Sequence, residues 1–364
     1  MIATIFLIII FVYAVQTLTF IVGSRRKFPR IKEEKLPTVT VIVAARNEEK
    51  NILRCLQSLD KLEYPEGKLE IIIVDDNSTD KTGELIENFI SGKSRFKKIV
   101  SKKEIGMLKG KTNALANALE IAKGEIILTT DADCAVNPLW VKTNASYFQP
   151  DVAIVDGYTT QVANNGFGGM QAIDFIYLQT VGAGTINIGM PISCIGNNMS
   201  YRKKAYLEVG GYENLPFSVT EDFQLLNAIK MLKKYKIIFP VNHNSLVTSL
   251  PCNNLKELYR QKKRWSVGGL GVPLVGYLVM VFGFLANLFI LLTPFFFSPV
   301  WLYLVLIKII FDYFLVYNSH KLLHITKGIK YFLHFEIYYI IYVVMIPFVL
   351  TFFGRRVVWK GRKF

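Results

Sequence analysis

The sequence predicts a mostly parallel α/β domain that is attached to a membrane by apolar helices at both ends. Long runs without any charge occupy residues 1–23 and 266–307. Between residues 24 and 265, short β-rich runs alternate with stretches of helical spacing, as in βαβ units. Of the 364 residues, 51% are hydrophobic, which is more than an ordinary soluble protein of this length contains.

The first run, residues 1–23, is long enough to cross the hydrocarbon core of a bilayer. No charge precedes it and the basic segment SRRKFPRIKEEK follows it, which is not the order of a cleaved signal peptide. Lys and Arg concentrate on the cytoplasmic side of membrane helices. We therefore expect an uncleaved anchor over 1–23, an integral protein of the inner or plasma membrane, and a cytoplasmic α/β domain.

The C-terminal part, residues 269–353, is predicted to form further membrane helices. Pro294 and the segment 297–299 should interrupt the long apolar run, giving about two helices there and one over 331–353. Three membrane crossings after the α/β domain would place the basic tail, 354–364, outside the cell. This contradicts the tendency of Lys and Arg to lie on the cytoplasmic side. Either one segment is re-entrant or interfacial, or the tail departs from the rule.

The α/β domain is predicted over 38–250, with strands and helices in alternation. The predicted strands are 38–46, 69–76, 96–101 and 125–133, and the predicted helices are 47–62, 78–90, 111–124 and 221–232. Ser78 or Thr79 is expected to cap the second helix. Two of the strands end in carboxylates, Asp75 with Asp76 and Asp131 with Asp133. Since parallel sheets bind ligands at the carboxyl ends of their strands, these four acids should share one edge.

Asp131 and Asp133 flank one small residue directly after an apolar strand. Two carboxylates spaced in this way can turn toward one divalent cation, and hard oxygen ligands suit Mg²⁺ or Mn²⁺. A solvated turn is the alternative reading of the two acids. Asp75 and Asp76 at the second strand end favour the metal, because repelling carboxylates at one edge need a cation or a donor-rich ligand.

Several other functions are disfavoured by the sequence. The segment GMLKGKT (106–112) places its glycines one residue too close for a P-loop, and the first strand lacks the glycines of a dinucleotide-binding turn. The four cysteines form no CxxC pair, so reduced thiols are expected rather than a zinc site. The net charge of +15 comes without a nucleic-acid recognition motif, and the basic membrane flanks explain much of it.

Two motifs in the second half of the chain contain further candidate site residues. TED (220–222) begins a helical pattern, and its Asp222 would lie in the first helical turn, where the helix dipole favours the charged form. The segment 251–268, which contains QKKRW (261–265), has helical spacing and many cations, so we expect an amphipathic helix at the membrane surface. Lys262 and Lys263 would then contact lipid, whereas Gln261, Arg264 and Trp265 would serve a reaction.

Taken in order, seven segments resemble those of membrane-bound family 2 glycosyltransferases, which include polysaccharide synthases and ceramide glucosyltransferases. They are VIVAARNEEKNILRCLQSL, IIIVDDNSTDKT, GKTNALANAL, TTDADC, GNNMSYRKKAYLEVGGYE, TEDFQL and QKKRW. The resemblance covers residues 38–270 and implies a GT-A fold, which binds a nucleotide sugar. The chain departs from the family at Ala44, where Pro is frequent, and at Ala116, where Asn is frequent.

The resemblance also implies roles for individual residues. Donor binding falls to Asp75, Asp76, Arg46, Glu48, Lys111 and Asp131. Metal binding falls to Asp133, supported by Asp131. The catalytic set is Asp222 as general base with Glu221, Gln261, Arg264 and Trp265.

The implied reaction is an inverting, metal-dependent transfer of a sugar from a nucleotide-diphosphate donor, a UDP-sugar, to a membrane lipid or a growing glycan. A processive polysaccharide synthase, making a poly-GlcNAc, cellulose or hyaluronan-like product, is the alternative. A more remote alternative is a membrane scaffold that keeps a degenerate transferase domain, although all the acids that such a scaffold would lose are present. No nucleic-acid partner is expected.

Overall fold

A computed structural model of the chain describes residues 2–102, 104–216, 218, 220–352 and 354, and the backbone of 358–359 and 362–363. The strands are β1 (Val39–Ala45), β2 (Leu69–Asp75), β3 (Phe96–Val100), β4 (Ile126–Asp131), β5 (Ala135–Val136), β6 (Val152–Asp156), β7 (Thr159–Gln161), β8 (Met199–Arg202), β9 (Lys236–Ile238), β10 (Val247–Ser249), β11 (Val358–Trp359) and β12 (Arg362–Lys363). The helices are α1 (Ile2–Ser24), α2 (Ile52–Asp60), α3 (Thr82–Ile90), α4 (Lys111–Ile121), α5 (Trp140–Ser146), α6 (Gly166–Asn187), α7 (Lys203–Glu208), α8 (Glu221–Met231), α9 (Leu255–Gly268), α10 (Leu274–Leu291), α11 (Pro299–Leu322) and α12 (Phe332–Phe352).

The chain forms two compact units. The sheet unit consists of Lys27–Thr159 and Cys194–Leu250, and the helical unit consists of Met1–Arg26, Thr160–Ser193 and Pro251–Phe364. Each unit is described separately below.

The sheet unit is built on seven strands in the order β3-β2-β1-β4-β8-β6-β9. The first four are parallel to one another, and β8 runs antiparallel between β4 and β6. Chain order reverses at the pair β1 and β4, since β2 follows on one side and β4 lies on the other. Such a switch point is where open α/β sheets bind ligands. The predicted α/β fold with a largely parallel sheet is confirmed.

The core of this sheet forms as the apolar patterns predict. β1, β2 and β4 are mostly apolar and mostly buried because both of their faces are covered, as is usual for parallel strands. α2 buries Ile52, Cys55, Leu56 and Leu59, the stripe that its 3.6-residue spacing predicts. The cap expected at Ser78 or Thr79 is wrong. α3 begins at Thr82, and the carboxylate of Asp80 accepts the hydrogen bond from the Thr82 backbone N–H (3.0 Å).

The helical unit contains α6, a helix of 22 residues that the sequence patterns did not predict. Most of its residues are buried, so it has no solvated face and shows no amphipathic period. α6 lies within the range 38–250 that the sequence assigns to the α/β domain, yet residues 160–193 belong to the helical unit.

Four stretches of the described chain are long and apolar enough to cross a membrane: Ile2–Ser24, Leu274–Leu291, Pro299–Leu322 and Thr326–Phe352. The break between α10 and α11 falls where Pro294 and 297–299 were expected to interrupt the apolar run. The membrane sidedness of these helices and the assignment of the domain ranges stay predictions. Side chains of 355–364, most of the predicted basic tail, lie outside the described residues.

Two kinds of contact hold the helices of this unit together: a close backbone approach at glycines and a buried group of ion pairs. α1 and α6 approach so closely that a Cβ at Gly23 would clash with the Gly184 carbonyl oxygen. Small residues permit such close contacts between helices. In addition, the fully buried Lys308 ammonium lies 2.7 Å from Asp312 Oδ2 and 2.7 Å from Glu336 Oε1, which joins α11 to α12.

Candidate active site

The acids that end β2 and β4 lie at the same edge of the sheet. In the register of the parallel strands, Ala45 of β1 is paired with Asp75, and Ala44 is paired with Asp131. β1 separates the two acidic strands, so their ends are roughly 10 Å apart at the usual strand spacing. We call Asp75, Asp76, Asp131 and Asp133 the acidic rim. The expectation that these acids share one edge is confirmed.

Asp75 and Asp76 are buried, and both residues take part in hydrogen bonds with neighbouring residues. The Ser78 backbone N–H donates to Asp75 Oδ1 (2.9 Å), and Arg46 Nη1 donates to the Asp76 carbonyl oxygen (2.9 Å). The Arg46 guanidinium also lies 3.8 Å from Asp76 Oδ2. Gly83 is required beside them, because a Cβ there would lie 2.6 Å from Asp75 Oδ2. Arg46 thus contacts Asp76, the neighbour of Asp75, and the shared donor-binding role of the three residues stays a prediction.

Glu48 has a local role in the turn that precedes α2. Its backbone N–H donates to Thr82 Oγ1 (2.7 Å), and its Oε2 accepts from Asn51 Nδ2 (2.8 Å). The bond to Thr82 connects the loop after β1 to the start of α3, and the bond from Asn51 stays within the loop. The predicted contact of Glu48 with the donor stays a prediction.

Lys111 connects the acidic rim to the TED segment. It is the first residue of α4, and Gly110 before it has a φ of 58°, a conformation that glycine adopts readily. Lys111 Nζ lies 2.8 Å from Asp131 Oδ1 and 3.1 Å from Glu221 Oε1. Burial alone would lower the pKa of Lys111, but the charges of Asp131 and Glu221 outweigh it, and the pKa is raised. The ammonium is therefore charged throughout the physiological range.

The turn after β4 orients Asp133. Arg54 Nη1 donates to the Asp133 carbonyl oxygen (2.7 Å), and the Cys134 thiol donates to Asp133 Oδ1 (3.4 Å). Burial raises the pKa of Cys134, and the charges of Asp133 and Asp131 raise it further, so this thiol keeps its proton.

The donor atoms at this turn fit a hard divalent cation. No cluster of three or more His, Cys, Asp or Glu side chains suited to a metal occurs among the described residues. Two carboxylates are nevertheless the usual protein share for Mg²⁺ or Mn²⁺ that completes its shell with water and diphosphate oxygens. Lys111 already pairs with Asp131 Oδ1, which makes Asp133 the stronger ligand candidate.

Asp222 lies at the start of α8, next to a glycine that makes room for it. Its Oδ1 accepts a hydrogen bond from the Phe223 backbone N–H (2.8 Å). A Cβ at Gly196 would lie 2.8 Å from Asp222 Oδ2. Because its neighbour Glu221 pairs with Lys111, Asp222 belongs to the same part of the site as Asp131.

Sequence reasoning missed Asp156, which ends β6. β6 runs parallel to β4, since β8 is antiparallel to both, so Asp156 lies toward the edge that carries the acidic rim. It is fully buried and accepts hydrogen bonds from the backbone N–H groups of Ile195 and Gly157, each at 3.2 Å. Burial raises the pKa of Asp156 well above the usual carboxyl range, and the charge of Asp222 contributes. The run VAIVD (152–156) has the same signal that revealed Asp75 and Asp131: a carboxylate after an apolar strand.

Gln261, Arg264 and Trp265 lie on α9, in the helical unit. Asn254 caps this helix by accepting from the Glu257 backbone N–H (3.0 Å), and the predicted helical pattern is confirmed. The lipid contact expected for Lys262 is wrong. Its side chain is buried and forms an ion pair with Asp174, because α6, which the sequence patterns missed, packs in this unit. The catalytic roles of Gln261, Arg264 and Trp265 stay predictions.

Comparison with solved structures confirms the fold. A mannosyltransferase from Pyrobaculum calidifontis, solved with GDP-mannose and Mn²⁺, matches with a TM-score of 0.61 at 17% sequence identity. The match covers 93% of this chain and 98% of that one. At this identity the likeness shows the fold, which is the GT-A fold with helices appended.

Two relatives identified by sequence comparison have a higher sequence identity to this chain than the mannosyltransferase has. Beta-monoglucosyldiacylglycerol synthase of Nostoc sp. is 27% identical over 270 residues, which are 71% of this chain and 54% of that enzyme. The poly-beta-1,6-N-acetyl-D-glucosamine synthase of Staphylococcus epidermidis is 25% identical over 288 residues, or 78% of this chain and 67% of that enzyme. The matched region thus spans about half the length of the Nostoc relative.

Two sequence families match the chain directly. Glycosyl transferase family 2 matches residues 40–210, which contain the acidic rim and Lys111. Glycosyl transferase family group 2 matches residues 126–354, from β4 through α12, and thus more than half of the chain. With the GT-A fold and the strand-end acids in place, the chain belongs to the family 2 glycosyltransferases.

Proposed function

We propose that this protein is an inverting glycosyltransferase that moves a sugar from a nucleotide-diphosphate donor, a UDP-sugar, to a membrane lipid or a growing glycan. The observation that carries the proposal is the contact of Lys111 with both Asp131 and Glu221. Through this contact the rim acids and the helix of the proposed base form one site. The names of the relatives, a glycolipid synthase and a polysaccharide synthase, support the acceptor class.

The donor occupies the edge of the sheet at its switch point in this proposal. Asp75 and Asp76 accept hydrogen bonds from the nucleoside, with Arg46 fixing their position and Glu48 beside them. Lys111 faces the diphosphate as a permanent positive charge. A divalent cation bound by Asp133 and Asp131 would neutralise the negative charge that develops on the leaving diphosphate.

Asp222 acts as the general base. It accepts the proton of the attacking hydroxyl, a contribution that is typically on the order of 10²- to 10⁴-fold in rate. The hydroxyl oxygen then displaces the diphosphate in line, which inverts the configuration at the anomeric carbon. Gln261, Arg264 and Trp265 complete the proposed catalytic set, with the planar fork of Arg264 suited to phosphate oxygens.

A donor screen tests the proposed reaction. Membranes that contain the full chain are incubated with UDP-glucose, UDP-GlcNAc, UDP-galactose or GDP-mannose, each with Mg²⁺ or Mn²⁺. Products that extract into organic solvent are scored separately from polymers, which separates glycolipid synthesis from the processive alternative. Absence of both transfer and nucleotide release with every donor would favour a non-catalytic scaffold.

Asp222→Asn tests the base assignment. The amide keeps the size of the side chain and its hydrogen bond from the Phe223 N–H, but it cannot take up the proton. We expect transfer to fall by at least about 100-fold, whereas donor binding, measured by calorimetry, stays close to wild type. Wild-type turnover in this variant would assign the base elsewhere.

A further inference from the structure

Lys262, a middle residue of the Gln-x-x-Arg-Trp motif, is one of few buried lysines in the described chain. Its side chain is 4% exposed and that of its partner Asp174 is 2% exposed. The pair joins α9 to α6 within the helical unit. Burial raises the pKa of Asp174, and the Lys262 ammonium offsets this only in part.

The Lys262 ammonium is also directed at Trp265, three residues later on the same helix. Nζ lies 4.4 Å from the centre of the Trp265 ring and 5.2 Å from the centre of the Tyr342 ring of α12. Both distances fall within the range of a cation–π contact, which strengthens when the cation is desolvated. Phe175, next to Asp174 on α6, stacks on Trp265 with ring centres 5.3 Å apart and planes at 22°.

Trp265 is therefore held by two consecutive residues of α6, Phe175 directly and Asp174 through Lys262. A buried ion pair adds little to stability compared with apolar residues of the same shape. Apolar residues would not, however, place a positive charge against the indole. The same ammonium that neutralises Asp174 fixes the orientation of the aromatic residue of the motif.

We propose that Asp174 and Lys262 form a positioning pair that fixes the Trp265 ring in the orientation needed for sugar transfer. The inference rests on the proposed function of Trp265 and assigns a task to a motif position that carries no role in that proposal. Neither residue contacts substrate in this scheme. Both act through the indole, so their loss should reduce turnover more than donor affinity.

The pair can be tested by removing its charges one at a time and together. Lys262→Met and Asp174→Asn each leave one buried charge without its partner, which should lower both thermal stability and kcat. The double variant Asp174→Asn with Lys262→Met contains no unpaired charge, so its stability should return toward wild type. Its kcat should remain lowered, by about 10- to 100-fold, with the KM for the nucleotide sugar changed less than about twofold.

Lys256→Met is the matched control, since it removes one positive charge from an exposed position of α9. It should keep wild-type stability and kcat. If the double variant recovers kcat together with stability, the pair is only a structural contact and the proposal is overturned. Wild-type kcat in either single variant would overturn it as well.

A fluorescence measurement separates this inference from the proposed reaction. The emission of Trp265 is obtained by subtracting the spectrum of Trp265→Phe from that of the full chain in detergent. Lys262→Met and the double variant should both shift this difference spectrum, and Lys256→Met should not. Such shifts in a protein that turns over none of the screened donors would support the pair while the proposed reaction fails. An unchanged difference spectrum would overturn the pair whatever the activity.

Discussion

Asp222 and Gly196 show how closely one site residue depends on a neighbour that has no side chain. Gly196 precedes β8, in the segment GNNMSYRK, and leaves the space that the Asp222 carboxylate fills. In the proposed mechanism, a carboxylate displaced by about 1 Å from the attacking hydroxyl loses much of its effect as a base. The glycine is therefore part of the site, although it supplies no reacting group.

Gly196→Ala should lower kcat by on the order of 10- to 100-fold with little loss of fold stability. The added Cβ would lie 2.8 Å from Asp222 Oδ2, and the carboxylate must move. Steady-state kinetics with the donor found in the screen measure the effect. Gly283→Ala in α10, where nothing lies within 4 Å of the added Cβ, is the control. Equal kcat in the two variants would contradict the steric argument.

Asp156→Asn should change how stability depends on pH. The folded chain holds the Asp156 proton above the ordinary carboxyl pKa of 3.8, whereas the unfolded chain releases it there. Between these two pKa values the folded state binds more protons, so stability falls as pH rises, by about 1.4 kcal/mol for each unit of raised pKa. Asparagine does not titrate, so the variant should not show this loss of stability with rising pH.

Thermal unfolding of wild type and Asp156→Asn is compared from pH 4 to pH 8. The difference in stability should move in favour of the variant as pH increases, on top of a constant offset from the altered hydrogen bonds to Ile195 and Gly157. A difference that is independent of pH would mean that Asp156 is ionised in the folded protein.

At the scale of elements, the crossing of α1 and α6 is set by glycine on both helices. Gly184 would clash in the same way as Gly23, because its Cβ would lie 2.5 Å from the Phe20 Cα. Close approach of two helix backbones adds van der Waals packing that a side chain at either glycine would prevent. The small residues therefore determine how α6 associates with the N-terminal helix.

Gly23→Ala should destabilise the helical unit by about 1–3 kcal/mol, the usual cost of overpacking. Alanine is a better helix former than glycine by up to about 1 kcal/mol, which alone would stabilise the variant. A net loss of stability would therefore show that the clash outweighs the gain in helix propensity. Unfolding of the detergent-solubilised full chain measures it. Gly283→Ala serves again as the control and should be neutral or stabilising. A stabilised Gly23→Ala chain would show that α1 and α6 can separate without loss.

At the scale of the whole molecule, the two units are stabilised in different ways. The sheet unit has one large apolar core between its strands and helices. The helical unit adds to its apolar clusters a buried polar cluster, in which Tyr13 donates to Asp312 Oδ1 (2.5 Å) and Lys308 pairs with Asp312 and Glu336. Charges in an apolar layer are stable only when they are paired.

Lys308→Met should therefore destabilise the helical unit by about 3–5 kcal/mol, since Asp312 and Glu336 lose their cation. The triple variant Lys308→Met, Asp312→Asn, Glu336→Gln removes all three charges and should recover most of that loss. Unfolding in detergent or nanodiscs measures both variants. Equal instability of the single and triple variants would mean that shape, not charge pairing, accounts for the contribution of Lys308.

Much of the candidate site was accessible from sequence because it follows strand ends. Asp75, Asp76, Asp131 and Asp133 were found since a carboxylate after an apolar run marks the ligand-binding edge of a parallel sheet. Asp156 carries the same signal at the end of β6 and was overlooked. α6 could not be found in this way, because a helix buried on nearly all sides has no periodic pattern.

The sequence by itself determined the α/β class, the family, the acidic strand ends and the four apolar helices, because these depend on composition and on the order of residues along the chain. Only the tertiary structure decided which residues meet. It joined Lys111 to Asp131 and Glu221, placed Gly196 against Asp222, and buried Lys262 against Asp174 rather than in lipid. These pairs are separated by 20 to 110 positions along the chain, and no local pattern encodes contacts at such separations.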